Sequence, residues 1–286
     1  MRKIYYGIAL LVFIALMALM YGGSMLISFE VVIGGILLAG ERGIDMAYNF
    51  LMDYPNFFSI AVYLIPTAIM LPWYYFAFIE KKGFRQTLRA HTRQLSPICF
   101  VWVAVLTFAA QHATSLVMTL VDFLAPSVMN DYMELIETSG MTEYSIAWAV
   151  STLILPPILE ETVFRGLILQ YLGKTGAKFF AANIIQAVFF GIFHMNLVQG
   201  FYTFFLGLLL GYLAYRYDSI LVPMAMHFFY NLFGTALIEL ETRILPDFVQ
   251  GLIVLGSVPL LAIVLAAVHF RFGEKKIAVT KGEHIV

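Results

Sequence analysis

Three short stretches of this chain hold ionisable or polar side chains where nearly everything around them is apolar. The first is PPILEETVFR, Pro156 to Arg165, with two adjacent carboxylates and a guanidinium. On an α-helix, at about 100° per residue, Glu161 and Arg165 share a face and Glu160 points to a different one. Glu161 is therefore the natural ion-pair partner of Arg165, and Glu160 is the carboxylate left free for other work. The second stretch is FFGIFHMN, where the Phe190 ring can pack beside the His194 imidazole on one face; the third is MHFFYN, where His227 and Asn231 share a face in the same way. A free carboxylate and two imidazoles are side chains of acid–base chemistry, and Glu160, His194 and His227 are equally acceptable zinc ligands. Taken singly, each group has a structural explanation. A histidine or asparagine in a membrane helix is often interhelical glue worth about 0.6–2 kcal/mol, and the Glu161–Arg165 pair reads as structural. Glu160 together with both histidines, on three different helices, calls for a common explanation.

The elements that carry these residues are membrane helices. Of the 286 residues, 61% are hydrophobic and 12% charged, and the mean hydropathy is +0.86. That combination lies outside the range of soluble domains and predicts an all-α, polytopic membrane protein. A crossing needs roughly 20 apolar residues, and eight candidates satisfy this: 4–28, 57–79, 96–121, 145–170, 180–198, 200–215, 220–238 and 249–270. The first follows Arg2-Lys3 and is longer than a signal-peptide core, so it is expected to remain as an uncleaved span. Val31 to Gly40 is apolar but short, and its glycines suggest a surface-lying or re-entrant segment. A carboxylate or arginine at mid-span costs about 2.5–3.5 kcal/mol on insertion scales, so such groups face a partner or a wet cavity. Pro156 and Pro157 remove backbone donors just before the glutamates, which opens carbonyls to water or to a neighbouring helix. Cys99 is the single cysteine, so an intramolecular disulfide is excluded.

Charge placement orients the bundle. With eight crossings and a cytoplasmic N-terminus, every Lys and Arg except Arg42, Arg165 and Arg243 falls on the cytoplasmic side, while most acidic residues, Asp122, Asp131, Glu134, Glu137 and Glu143 among them, fall opposite. Both termini are therefore expected in the cytoplasm. The basic stretch Glu80 to Arg93, beside two spans, reads as a contact with anionic lipid and not with nucleic acid. No internal repeat of the transporter kind is visible. There is no H-E-x-x-H, G-x-S-x-G or Gly-x-Gly-Asp motif.

The ordered set, Glu-Glu-x-x-x-Arg at Glu160, Glu161 and Arg165, Phe-x-x-x-His at Phe190 and His194, and His-x-x-x-Asn at His227 and Asn231, resembles the CPBP intramembrane proteases. These include type II CAAX prenyl endopeptidases and bacterial bacteriocin-processing or self-immunity proteins. The resemblance covers roughly 145–235 and divides the chain into membrane helices of unmatched function (1–143), a catalytic core (144–240) and a last helix with its tail (241–286). It implies that Glu160 and His194 activate a water that attacks a peptide carbonyl, that His227 and Asn231 stabilise the oxyanion, and that Glu161 and Arg165 position Glu160. The side chains are suited to this: a carboxylate withdrawn from water is a stronger base, and an amide beside an imidazole can serve an oxyanion. The expected protein is thus an intramembrane endopeptidase of a prokaryotic plasma membrane, acting on a peptide or membrane protein and without a cofactor. Zinc at Glu160, His194 and His227 is the alternative site chemistry, and a catalytically silent scaffold or immunity protein the alternative function. One feature strains the scheme. If the fifth span begins at Lys178, His194 lies about 24 Å up at 1.5 Å per residue, above Glu160, so Ala177 to Ala182 is expected at the interface and the crossing is expected to start near Asn183.

Overall fold

A computed structural model describes residues 2–141 and 143–271, with no strand among them. In chain order the helices are α1 (Ile4–Ala39), α2 (Arg42–Asp53), α3 (Pro55–Lys82), α4 (Phe84–Thr92), α5 (Pro97–Leu124) and α6 (Pro126–Thr138). They continue with α7 (Ile146–Lys174), α8 (Phe179–Phe193), α9 (Leu197–Tyr217), α10 (Leu221–Ile244) and α11 (Asp247–Phe270). Seven of these, α1, α3, α5, α7, α9, α10 and α11, are long and apolar enough to cross a bilayer; α8, the expected fifth crossing, is apolar but shorter. The tail with Lys275, Lys276 and Lys281 lies outside the described residues.

Val31 to Ala39 is not a separate re-entrant segment. Nothing in it breaks a helix, so α1 runs on for 36 residues, about 54 Å at 1.5 Å per residue. α2 then doubles back along it. The two backbones touch at Gly35 and Gly43, where a Cβ on either would collide with the carbonyl of the other.

α7 is the central helix: from Leu155 to Leu172 every residue except Ile158 is buried. Wide π-helical turns at Ala149–Ile154 and Thr162–Ile168 flank its Glu160–Glu161 segment, and such turns re-aim side chains at functional positions. Side-chain contacts identify the two ends of the bundle. At the basic end, the Lys174 ammonium sits 4.1 Å from the Phe78 ring centroid and 5.7 Å from that of Tyr5, and Ser219 Oγ donates to the His91 carbonyl at 3.3 Å. At the acidic end, Asn56 Nδ2 donates to the Gly140 carbonyl at 3.1 Å, and the Tyr144 hydroxyl donates to Glu239.

Candidate active site

Glu160 and Glu161 sit halfway along α7, about 21 Å from either end at 1.5 Å per residue, and their side chains part. Glu161 Oε1 accepts from Arg165 Nη1 at 2.8 Å and from His227 Nδ1 at 2.9 Å. Arg165 is itself held further, with Nη2 donating to the Gly207 carbonyl at 3.0 Å and its guanidinium carbon 4.6 Å from the Phe190 ring centroid. The expected helical ion pair is present, and His227 joins it from α10. Glu160 turns the other way. Its Oε1 accepts from the Tyr63 hydroxyl at 3.0 Å, and its Oε2 lies 3.8 Å from His227 Nε2 with no hydrogen-bond partner among the described residues. One imidazole therefore stands between two carboxylates, a nitrogen toward each.

His194 caps the C-terminus of α8. Its Nδ1 is 2.8 Å from the Phe190 carbonyl; a carbonyl only accepts, so Nδ1 carries the proton and the neutral ring keeps its lone pair on Nε2. The Phe190 ring stands nearly perpendicular to both imidazoles, 5.0 Å from His194 and 5.9 Å from His227 between centroids. The length of α8 itself sets His194 level with Glu160. α8 begins at Phe179 and stops after 15 residues, about 22 Å, which matches the depth of Glu160 in α7. The helix ends there because Met195 takes φ 51° and Asn196 caps the next helix, its Oδ1 accepting from Gln199 N at 3.0 Å.

Asn231 has a partner that the sequence did not announce. Its Nδ2 donates to the Thr152 carbonyl at 2.8 Å. In an α-helical turn that carbonyl would accept from residue 156, in a π-helical turn from residue 157, and both are proline without an N–H. The two prolines thus vacate one carbonyl, and the amide of α10 takes it. One amide hydrogen of Asn231 is used in this way, leaving a second.

Glu160, His194, His227 and Asn231 all line one cavity of about 640 Å³; Glu161, Arg165 and Phe190 lie outside its wall. Residues 142–233 match the family model of type II CAAX prenyl endopeptidase Rce1-like proteins. The segment is an Rce1-like domain. No curated protein and no solved structure gives a match. With its long apolar helices, the chain is an integral membrane protein carrying a domain of the CAAX protease family.

The Rce1-like domain does not make the site alone. Tyr63, whose hydroxyl holds Glu160, comes from α3, 97 residues earlier in sequence. It is one of 16 tyrosines, and no spacing sets it apart. Another buried histidine was also missed: His112 of α5 bonds through Nε2 to Glu241 Oε2 at 2.8 Å and through Nδ1 to the Phe108 carbonyl at 2.9 Å. Among the described residues no group of three His, Cys, Asp or Glu side chains stands together as a metal site; at His227, Glu161 takes Nδ1 and Nε2 is the nitrogen turned toward Glu160.

Proposed function

We propose that the Rce1-like domain is an intramembrane endopeptidase in which Glu160 and His194 activate a water without a metal ion. The observation that carries this reading is the opposite placement of two adjacent carboxylates. Glu161 is clamped through Oε1 by Arg165 and His227 behind the cavity wall, whereas Glu160 lines the cavity; each carboxylate has its Oε2 without a hydrogen-bond partner among the described residues. A water there can donate one hydrogen to Glu160 Oε2 and the other to the His194 Nε2 lone pair. Glu160 takes the first proton as the water oxygen attacks the peptide carbonyl carbon. The tetrahedral oxyanion accepts from His227 Nε2–H and from the second amide hydrogen of Asn231. Glu160 then returns its proton to the peptide nitrogen as the C–N bond breaks, and one water is consumed per bond cleaved. Arg165 offsets the Glu161 carboxylate in this low-dielectric setting. Tyr63 orients Glu160 by occupying its other oxygen.

The same reading puts the protein in the plasma membrane of a prokaryote with cytoplasmic termini, on the strength of its basic loops. The test is comparative proteomics of membranes carrying the native chain or Glu160→Gln. At least one peptide bond should be cut only in the first, with equal amounts of folded protein in both. Identical peptide sets would reject the endopeptidase.

A further inference from the structure

The cavity extends toward one end of the bundle only. On α3 its lining stops at Tyr63, on α7 it stops at Glu160, and on α10 it starts at His227. Each of these limits lies at the level of the site, and the lining beyond them runs to the acidic end, where α6 with Ser139, Met141 and Tyr144 forms the rim. On the other side of Glu160, α7 is buried without a break to Leu172. The basic residues gather at that closed end: Lys81, Lys82, Arg85, Arg89 and Arg93 around α4, with Lys174 and Lys178 after α7. Lys and Arg collect in cytoplasmic loops. No Lys or Arg lines the cavity, and its rim carries Glu239.

We propose that the cavity opens on the face of the membrane opposite the basic loops and receives an internal segment of a polypeptide presented from outside the cytoplasm. The side of access follows from the cavity and the charge distribution; that the occupant is a polypeptide rests on the endopeptidase reading. An internal segment is favoured over a free C-terminus because no Lys or Arg lines the wall to hold a terminal carboxylate, whereas an internal amide is neutral and needs no counter-ion. Partial burial and the Glu239 carboxylate push the Tyr144 phenol up to about 12, so the rim keeps Tyr144 as a donor to Glu239, whose other oxygen accepts from Arg243.

The experiment uses the full-length protein in a Cys99→Ser background, in right-side-out and inside-out membrane vesicles, with a membrane-impermeant methanethiosulfonate reagent as the probe. Ser115→Cys and Met118→Cys each place a thiol on the cavity wall, clear of the proposed catalytic groups. Gln86→Cys marks the basic end and Glu134→Cys the acidic end. Both wall cysteines and Glu134→Cys should gain the full mass shift in right-side-out vesicles, and Gln86→Cys only in inside-out ones. Wall cysteines that react from the side of Gln86→Cys, or from neither side, overturn the proposal, as does Gln86→Cys reacting from outside. Two wall variants keep the result independent of one that misfolds. Labelling needs no turnover, so it stands whether or not Glu160 hydrolyses a peptide. Conversely, Glu160-dependent cleavage confined to cytoplasmic segments would keep the endopeptidase and overturn the outward access.

Discussion

Replacing Glu161 with glutamine keeps the shape of the side chain and removes its charge. Arg165 would then be a cation with no exposed surface, retaining the Gly207 carbonyl at 3.0 Å and the Phe190 ring at 4.6 Å but no counter-ion within bonding distance. Removing one partner of a buried ion pair costs about 3–5 kcal/mol. The amide oxygen of Gln still accepts one hydrogen bond, and the face of Phe190 retains a cation–π term of about 0.5–2 kcal/mol. The low end of the range, about 3 kcal/mol, is therefore expected, a shift of roughly two decades in the folding equilibrium. Reversible unfolding in mixed detergent micelles, followed by tryptophan fluorescence, reads it directly. Adding Arg165→Met to Glu161→Gln should recover most of the loss, because removing both charges leaves none unpaired, with a coupling of about 2 kcal/mol. A Glu161→Gln protein within about 0.5 kcal/mol of the parent, or a double variant no better than the single one, would refute the clamp.

Gly211→Ala should destabilise the α8–α9 contact by about 1–3 kcal/mol, because a Cβ there would meet Gln186 Nε2 at 2.7 Å and collide with Asn183 Oδ1; an unchanged unfolding midpoint would contradict that packing. Asn231→Ala should leave the Thr152 carbonyl without a donor, costing about 1–3 kcal/mol of stability, and should also slow kcat about 10²–10³-fold. A stability loss at unchanged kcat would confine Asn231 to its structural bond. Burial holds the His91 imidazole below its usual value, with Asp218 opposing the shift and Lys82 adding to it. The folded state then binds fewer protons than the unfolded one, so stability is fully present above the unfolded value of about 6.5 and declines as pH falls through it. Amide protection across α4, taken relative to the intrinsic exchange rate at each pH, should fall below that pH and lose the dependence in His91→Gln; constant protection in the parent would contradict it.

What the sequence made legible was whatever lies within one helical turn or in bulk composition. The Glu161–Arg165 pair and the edge-to-face contact of Phe190 with His194 follow from four-residue spacing, and the apolar runs located the long helices. Contacts between helices were beyond it. That His227 bonds to Glu161 as well as approaching Glu160 depends on how α10 lies against α7, and Tyr63 reaches Glu160 from a helix with no motif of its own. The prolines were visible, but that both point to a single carbonyl at Thr152 required the π-helical turn before them. The end of α8 left a local signal that went unused: Asn196 with Gln199 three residues later is a helix-start pattern, placing a boundary just after His194 and resolving its depth. Val31 to Gly40 was misread for the opposite reason, because its glycines serve close packing of α1 on α2 and not a turn.

The central claim, a water activated by Glu160 without a metal, is tested most directly by assaying cleavage and metal content on the same purified samples. The parent, stripped by chelator, should keep its turnover with substoichiometric metal, and Glu160→Gln should be inactive while unfolding at the parent's midpoint. Activity that disappears with one equivalent of zinc and returns when the ion is restored, with Glu160, His194 and His227 variants all failing to retain it, would contradict the account.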